Sequence, residues 1–487
     1  MRHRTVAAVC VHALCILLLQ GSAVVTAADF PPPSTTHTVA ARDAVMVLQL
    51  EPIFPDELLA EDAAAAIAAP GPQRFAVPED VAITPGNHGT WEFVNGGGRL
   101  WRIRIDAPNA TDLNFGFTRF RLPAGATLHV LSEDHAAIRG PFDASDNRDH
   151  GELWTPVIPG ARAVLELFVP DDADFEPELV LGRIGRGYRD MARTAGARGT
   201  VKQQGDCNVD VACGVGDGFA WVDDWRNEIQ SVAVFTVQGS LRCTGTLIMD
   251  VHRSYTPYFL TAHHCGVTAA NDHTVVTYWN YQSEHCGDMG GGDRSQSVSG
   301  AALLAHRPDV DFCLLRLDAV PPQQFGPHWS GWDRRATNTP DGAVCIHHPD
   351  AGEKAISLND DPLTVAASCI TEGGPDDSHW EVDNWEYGTT EQGSSGAGLW
   401  DPASHLLVGF LSGGLAACDN DLWDCFGRFA VAWDGPSPGE RLRDWLDPED
   451  TGAQRVLGGK VLEGLEEMRI PPQRVPRIPM ERGHRND

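Results

Sequence analysis

Short runs of alternating apolar and polar residues, separated by turn residues, fill two long stretches of this chain of 487 residues. Leu100–Ile105 and Ala163–Val169 are two such runs, and Pro, Gly, Asp and Asn stand between them and their neighbours. Regular short strands with this punctuation are typical of β-sandwiches and β-barrels. The pattern predicts an all-β protein, with a small β-sandwich over residues 86–188 and a second β domain over residues 207–457.

The remaining segments are expected to lie outside these two domains. The chain starts with basic residues, an apolar run from about Val6 to Leu19 and then small residues, which is the pattern of a cleaved signal peptide. The apolar run is too short to span a membrane, so no membrane partner is expected after cleavage and the protein is predicted to be secreted. The predicted segments are a signal peptide 1–28, an N-terminal pro-segment 29–85 with one helix at 58–69, a linker 189–206 and a C-terminal tail 458–487.

The linker is small and basic and has no apolar periodicity. Exposed segments of this kind are preferred sites of proteolytic cleavage. Arg193, Arg198 and Lys202 each offer a processing site to an enzyme that cuts after a basic residue.

Charge and cysteine content narrow the function. The formal net charge of −30 argues against binding to a nucleic-acid backbone. It would favour the approach of cationic polypeptides, and it would equally keep an exported protein soluble. Ten of the twelve cysteines lie beyond the signal peptide, which is compatible with disulfides formed in an oxidising compartment.

Three separated motifs supply a nucleophile, a base and an acid. Ser395 lies in a Gly-Ser-Ser-Gly loop, His264 follows an apolar strand, and Asp311 opens another. A serine hydroxyl attacks only when a base removes its proton, and the base needs an acid to orient it. The chain order His, Asp, Ser is the chymotrypsin order and differs from those of α/β-hydrolases and subtilisins. The sequence therefore predicts a serine endopeptidase with these three catalytic residues.

The glycines around Ser395 allow a sharp turn, so the backbone amides of Gly393 and Ser395 are predicted to form an oxyanion hole. A Gly-x-Ser-Gly loop alone would be weak evidence, because such loops are common; the order and setting of all three motifs carry the prediction.

Two histidine pairs, at 263–264 and 347–348, raise the alternative of a metal site. Neighbouring side chains on a strand point to opposite faces, so His263 and His264 would not easily share an ion. The sequence also has no His-Glu-x-x-His motif or tight cysteine pair. Neither a metal nor a cofactor is expected.

The segment from 207 to 457 resembles the bacterial lysyl endopeptidases, secreted proteases of the chymotrypsin fold that cut after lysine. The region from Trp91 to Tyr188 is similar, more loosely, to the propeptide of such enzymes. The motifs that carry the resemblance are Cys207–Cys213, Cys243–Leu247, Tyr258–Gly266, Tyr278–Gln282, Gly331–Arg335, Ile346–Pro349, Gly393–Gly396 and Asp444–Pro448.

The resemblance implies a chymotrypsin-like double β-barrel and the same triad. It implies that Asp424 is the specificity residue, since a carboxylate at the floor of a narrow pocket selects a cationic side chain. A surface-loop role beside Asp419 and Asp421 is the alternative. The implied disulfides are Cys207–Cys418, Cys213–Cys286 and Cys243–Cys265.

The chain also departs from the family. The family's histidine before the Gly-Gly of the substrate-binding strand is replaced by Ser412, ahead of Gly413. The tryptophan that stacks on that histidine also has no counterpart. Cys369 and Cys425 are additional cysteines on segments expected to flank the pocket, and a compensating disulfide between them is predicted. Cys313 and Cys345 have no assigned partner.

Position 394 suggests a different route of activation. Trypsin-like zymogens have an aspartate just before the nucleophile that receives the new N-terminal ammonium, whereas this chain has Ser394. Activation is therefore predicted to be release of the propeptide, with the mature N-terminus tethered through Cys207.

The leading interpretation is a secreted, monomeric endopeptidase, made as a proenzyme, that cuts after lysine and secondarily arginine. Its partners would be polypeptides with basic side chains and its own propeptide. The alternatives are the same triad with another specificity, or a protease-like adhesion protein that retains the sandwich.

Overall fold

The computed structural model describes residues 31–68, 71–189, 191, 205–288, 291–370 and 375–461. The predicted signal peptide, the three processing sites and most of the predicted tail lie outside these residues. In the described part of the chain, the helices are all too short or too polar to cross a bilayer.

Two facing sheets form the N-terminal domain. The strands of this region are β1 (Val47–Gln49), β2 (Gln73–Arg74), β3 (Ala76–Ile83), β4 (Thr90–Phe93), β5 (Arg99–Asp106), β6 (Asp112–Arg121), β7 (Thr127–Ser132), β8 (Ile138–Phe142), β9 (Leu153–Trp154), β10 (Ile158–Pro159), β11 (Arg162–Val169) and β12 (Glu178–Gly187). One sheet has the strand order β1-β5-β11-β7-β8 with β4 on β5, and the other has the order β10-β6-β12-β3 with β9 on β6. Strand β2 belongs to neither and pairs with a strand of the C-terminal domain. Trp101, Phe115 and Leu165 are among the fully buried residues between the two sheets.

The structure divides the N-terminal region differently from the expected boundary at residue 86. Strands β1 and β3 belong to the two sandwich sheets, although residues 29–85 were expected to lie outside the core. Strand β3 contains Pro78 and pairs only with β12, so it is an edge strand, where proline is tolerated. Its burial alternates along the strand, a pattern that the proline obscured.

Two further sheets form the C-terminal domain. The strands are β13 (Val209–Asp210), β14 (Val232–Val237), β15 (Leu241–Ile248), β16 (Tyr258–Ala262), β17 (Val276–Tyr278), β18 (Ser297–Ser299), β19 (Ala301–Arg307), β20 (Phe312–Leu317), β21 (Trp332–Asp333), β22 (Ala343–His347), β23 (Ala355–Asn359), β24 (Thr364–Ala366), β25 (His379–Val382), β26 (Gly398–Asp401), β27 (Leu406–Gly414), β28 (Asp424–Arg428) and β29 (Arg455–Val456). The first sheet has the order β18-β17-β14-β15-β16-β20-β19, and the second has the order β13-β23-β22-β26-β27-β28-β25-β24 with β21 and β29 beside β27.

The helices are short apart from the one predicted near residue 58. They are α1 (Pro33–Thr36), α2 (Pro55–Ala68), α3 (Arg226–Ile229), α4 (Phe429–Ala432) and α5 (Arg443–Leu446). The structure confirms the all-β prediction and the helix over the Ala-rich segment.

One apolar cluster joins the two C-terminal sheets. Leu260 and Phe312 of the first sheet pack in the same cluster as Ile346, Trp400 and Phe410 of the second. The ends of β16, β20 and β27 therefore meet at the seam between the sheets, and the predicted catalytic residues lie there.

Candidate active site

His264 and Asp311 are joined by two hydrogen bonds. The backbone N–H of His264 donates to Asp311 Oδ1 at 2.9 Å. The imidazole Nδ1 lies 2.8 Å from Asp311 Oδ2. A carboxylate can only accept, so Nδ1 carries the proton and Nε2 is left with a free lone pair. This is the tautomer that a general base needs.

The backbone holds this pair in place. Asp311 has φ 61°, a left-handed conformation uncommon for aspartate, and it turns the chain into β20. Its carbonyl accepts from the N–H of His263 at 2.9 Å. The disulfide Cys243–Cys265 ties the turn that carries His264 to β15. Asp311 is 1% exposed, so the hydrogen bonds by which it orients the imidazole are shielded from water.

Ser395 lies between the two sheets. Its carbonyl accepts from the N–H of Thr244 on β15 at 2.9 Å, and the N–H of Gly396 donates to Leu411 on β27 at 2.8 Å. Gly396 has φ 83°, and a Cβ there would lie 2.1 Å from Thr261 Oγ1, just before His264. Only glycine fits this approach, which brings the backbone at Ser395 close to the turn that carries His264. No hydrogen bond joins Ser395 Oγ to His264 among the described residues, as is common in substrate-free enzymes.

The N–H groups of the nucleophile loop fall into two sets. Those of Ser394 and Gly396 are bonded to carbonyls within the protein. Those of Gly393 and Ser395 have no acceptor within the described residues. Gly393 has φ 95°, which turns this part of the loop. Two free N–H groups beside a serine hydroxyl are the donors that a developing oxyanion requires.

A neutral hydrogen-bonded chain supports the loop from below. Ser357 Oγ donates to Thr389 O at 2.8 Å and so accepts from Nε2–H of His347 at 3.1 Å. Nδ1 of His347 therefore accepts from Ser394 Oγ at 2.8 Å. Burial lowers the pKa of His347 to about 3, so the imidazole stays neutral at physiological pH.

Asp424 is buried at the start of β28. Its Oδ2 accepts from Trp385 Nε1 and from Thr390 Oγ1, both at 2.8 Å. Its Oδ1 faces Gly414 of β27, where a Cβ would lie 2.1 Å away. Burial raises the pKa of Asp424 to about 6 despite these two donors and a third, the backbone N–H of Ala416. Asp424 is 1% exposed, whereas Asp419 and Asp421 are exposed, so the surface-loop interpretation of Asp424 is wrong.

Ser412 and Gly413 line the strand next to this carboxylate. Ser412 Oγ lies 3.1 Å from His379 Nε2, and the ring's Nδ1 lies 2.7 Å from Ser378 Oγ. An imidazole from β25 thus contacts the position where the family's histidine is missing. The structure forms Cys369–Cys425, a disulfide directly behind Asp424.

The other disulfides are Cys207–Cys418 and Cys213–Cys286, so the same four pairs form as were named from the sequence. Cys313 and Cys345 are free and buried. Cys207–Cys418 joins the first residues of the C-terminal domain to the loop before Asp424.

The pair His263–His264 does not lie on a strand. His263 and His264 lie in a 3-10 turn, His263–Cys265, and the strand argument for them is wrong. The two rings still diverge, because His263 stacks on His306 while His264 binds Asp311. His348 stacks on Tyr281, on the side of the chain away from Ser394.

Sequence reasoning missed the residues that support the loop and the pocket. The sequence analysis predicts no supporting role for His347, and it does not single out Trp385, Thr390 or Arg242. Their contacts with Ser394, Asp424 and Gly393 join segments far apart in the chain, so no local pattern could reveal them.

Two β sheets that meet at a His–Asp pair and a Gly-Ser-Ser-Gly loop are the architecture of the chymotrypsin-like proteases. Comparison with known proteins agrees. The model for the C-terminal domain of lysyl endopeptidase matches residues 201–427, and the model for its N-terminal domain matches residues 52–178. The chain belongs to the lysyl endopeptidase family.

One relative is the lysyl endopeptidase of Pseudomonas aeruginosa, which is 32% identical over 290 residues. The match covers 57% of this chain and 59% of the relative. Among solved structures, a Glu endopeptidase is 16% identical with a TM-score of 0.30 and covers 46% of this chain and 92% of its own. The Rv3671c protease of M. tuberculosis is 19% identical with a TM-score of 0.28 and covers 43% and 80%.

Proposed function

We propose that this protein is a serine endopeptidase that hydrolyses polypeptides after lysine, and secondarily after arginine, through an acyl-enzyme intermediate. His264 takes the proton of Ser395 Oγ as the hydroxyl attacks the scissile carbonyl, and Asp311 stabilises the imidazolium that forms. The amides of Gly393 and Ser395 receive the oxyanion. The imidazolium then protonates the leaving amine, and water repeats the sequence to release the acid. The observation that carries the proposal is the double hydrogen bond between His264 and Asp311.

Lysine specificity is supported by Asp424. Its three hydrogen-bond donors, Trp385, Thr390 and the backbone N–H of Ala416, are neutral, so the buried negative charge has no cationic partner within the described residues. A substrate ammonium would supply one, and an uncharged side chain would leave the carboxylate unpaired. The altered surroundings of Ser412 and the extra disulfide Cys369–Cys425 favour a second candidate, the same chemistry with a different preferred residue.

We also propose that the protein is an exported proenzyme whose N-terminal domain acts as a folding aid and plug. Four disulfides fit an oxidising compartment. The N-terminal domain contacts the protease domain through β2, which pairs with β15, and through Asn114 Nδ2, which donates to Gly239 O at 2.9 Å. Cleavage in the linker would release the plug.

Activation would need no N-terminal cation, because the Ser394 hydroxyl already has two neutral partners. These are the His347 ring and the backbone N–H of Glu391. Acetylating the N-terminus of the processed enzyme should leave its activity intact. Loss of activity on acetylation would contradict this route.

Incubation of the secreted protein with a mixed peptide library, read by mass spectrometry, tests the main proposal. Ser395→Ala serves as the matched control. Cuts confined to lysine bonds and abolished in the variant would support both mechanism and specificity. Ser395-dependent cuts elsewhere would support the second candidate, and no Ser395-dependent cleavage by processed protein would favour a binding protein.

A further inference from the structure

The side chain of Gln73 occupies a polar site on the protease domain. Strand β2 pairs with the outer edge of β15, with Gln73 opposite Arg242 and Arg74 opposite Leu241. Gln73 is 1% exposed, although it lies in a strand of only two residues. The N-terminal domain therefore inserts one amide side chain into the surface next to the nucleophile loop.

Two groups of opposite character hold the two ends of this amide. Gln73 Oε1 accepts from Nε of Arg242 at 2.5 Å and also from Nη2 of the same guanidinium. Gln73 Nε2 donates to Asp350 Oδ1. A carboxamide has an acceptor at one end and a donor at the other, so the cation and the carboxylate together match an amide.

Both groups are attached to the loop that carries Ser395. A Cβ on Gly393 would lie 2.5 Å from Arg242 Nη2, so the guanidinium packs against that residue. The N–H of Asp350 donates to Gln392 O at 2.8 Å. The amide site thus shares its wall with the predicted oxyanion hole.

The site lies on the opposite side of Ser395 from the Asp424 pocket. Ser395 contacts β15 through Thr244, and the next residue contacts β27 through Leu411. Asp424 faces Gly414 of β27, whereas Arg242 belongs to β15. Consider a polypeptide substrate that places its cationic side chain in the Asp424 pocket and its scissile bond at Ser395. The part of this substrate on the leaving-group side of the bond would then reach Arg242.

Release of the N-terminal domain would leave this site without its amide. With that domain in place Arg242 is fully buried, and its Nη1 has no hydrogen-bond partner within the described residues. Loss of Gln73 would free two more N–H groups, and Asp350 would also lose Arg189, which lies 3.4 Å away at the start of the linker. Release would therefore open the guanidinium and the carboxylate to a ligand that supplies one acceptor and one donor.

We propose that Arg242 and Asp350 form a binding site for a side-chain carboxamide, filled by Gln73 in the uncleaved chain and by a substrate glutamine or asparagine after processing. This substrate residue lies on the leaving-group side of the scissile bond. The inference rests on the proposed protease function and adds a second specificity site to it. A glutamate would meet Asp350 with like charge, and a leucine would leave both groups unpaired.

The peptide library tests the site when cleavage products are aligned on the cut bond and read at the following three positions. We expect glutamine and asparagine to be enriched about tenfold over leucine at one of these positions, which is the scale of one hydrogen bond to a charged group. Arg242→Met should abolish the enrichment, and Arg316→Met, on β20 of the same sheet, should retain it. Equal profiles for the wild type and Arg242→Met, or no amide preference in the wild type, would overturn the inference.

This readout does not depend on which residue precedes the cut, so failure of lysine specificity leaves it intact. A second measurement needs no cleavage at all. In the full chain carrying Ser395→Ala, Gln73→Met and Arg242→Met should each lower the melting temperature, and the double variant should lower it by less than the sum. Additive losses would contradict recognition of the amide even if the protein proved not to be a protease.

Discussion

Two buried aspartates on either side of Ser395 have opposite surroundings. Asp311 and Asp424 are both 1% exposed. Asp311 is bonded to a histidine that can become a cation, whereas the donors to Asp424 among the described residues are uncharged. They are an indole N–H, a hydroxyl and the backbone N–H of Ala416. Burial raises the pKa of Asp424 to about 6, which reflects a charge that the protein itself does not neutralise.

The comparison separates two uses of a buried carboxylate. Asp311 has its partner in the fold and serves to orient it. Asp424 has only uncharged donors among the described residues, and under the proposed function it gains a counter-charge when a cationic side chain enters. Because its ionisation is unfavourable without such a ligand, the proposal assigns the binding preference to this group.

The largest effect should come from breaking the complete pair. Asp311→Asn removes the acceptor that selects the Nδ1–H tautomer of His264, and we expect kcat to fall by about 10⁴-fold. Peptide hydrolysis at neutral pH measures it. Asp309→Asn is the matched control, because Asp309 binds Arg307 in the same loop and does not touch the imidazole. A loss below tenfold in Asp311→Asn would show that the pair is only structural.

Neutralising the incomplete carboxylate should have the next largest effect. Asp424→Asn should lower kcat/KM for a lysine substrate by about 10²- to 10³-fold above pH 7, because the ammonium would be buried without a counter-charge. Asp421→Asn, at an exposed position of the same loop, should change little.

The pH dependence sharpens this prediction. Since the pKa of Asp424 is raised to about 6, its negative charge is lost as the pH falls through that value. The ratio of wild-type to Asp424→Asn kcat/KM should therefore be constant at higher pH and decrease below about pH 6. A ratio independent of pH would place the specificity charge elsewhere.

Removing the neutral support of the loop should have a smaller effect. His347→Gln breaks the bonded chain through Ser394, and we expect kcat to fall by about 10- to 100-fold with little change in KM, because the oxyanion donors lose their alignment. His328→Gln removes another buried imidazole, one that contacts Gly458 instead of the loop. A rise in KM without loss of kcat would contradict a positioning role for His347.

The smallest expected effect concerns Glu391, a half-buried carboxylate that accepts from two neutral donors. It accepts from the N–H of Gly205 and from the amide of Asn208. Burial raises its pKa from 4.5 to about 7, so the folded state holds the proton more tightly, and stability from this group is lost as the pH rises from 4.5 through 7.

In the full chain with Ser395→Ala, the melting temperature should therefore fall between pH 5 and pH 8. Glu391→Gln should reduce that fall by about 2 °C, and the exposed Glu449→Gln should not. An unchanged pH slope in Glu391→Gln would show that neutral donors alone can satisfy a half-buried carboxylate here.

Part of this site could be predicted from local sequence. The strand before His264, the strand after Asp311 and the glycines around Ser395 are short patterns whose roles can be inferred from neighbouring residues. The role of His347 could not be inferred in this way, because its partner Ser394 lies 47 residues further along the chain. The adjacent histidines pointed only to the alternative of a metal site. The predicted boundary at residue 86 was wrong for a similar reason. Strand β3 pairs with β12, and these are the first and last strands of their sheet in chain order.

The sequence by itself determined the all-β class and the three motifs, because alternation, turn residues and glycine requirements act over a few residues. The resemblance to the family, and no local pattern, pointed to Asp424 as the specificity residue. Only the tertiary structure decided that Asp424 is buried without a cation, that His347 is neutral beneath the loop, and that Gln73 contacts Arg242 across 169 residues. Burial and hydrogen-bond partners set the charge state of a side chain, and both are created when distant strands pack together.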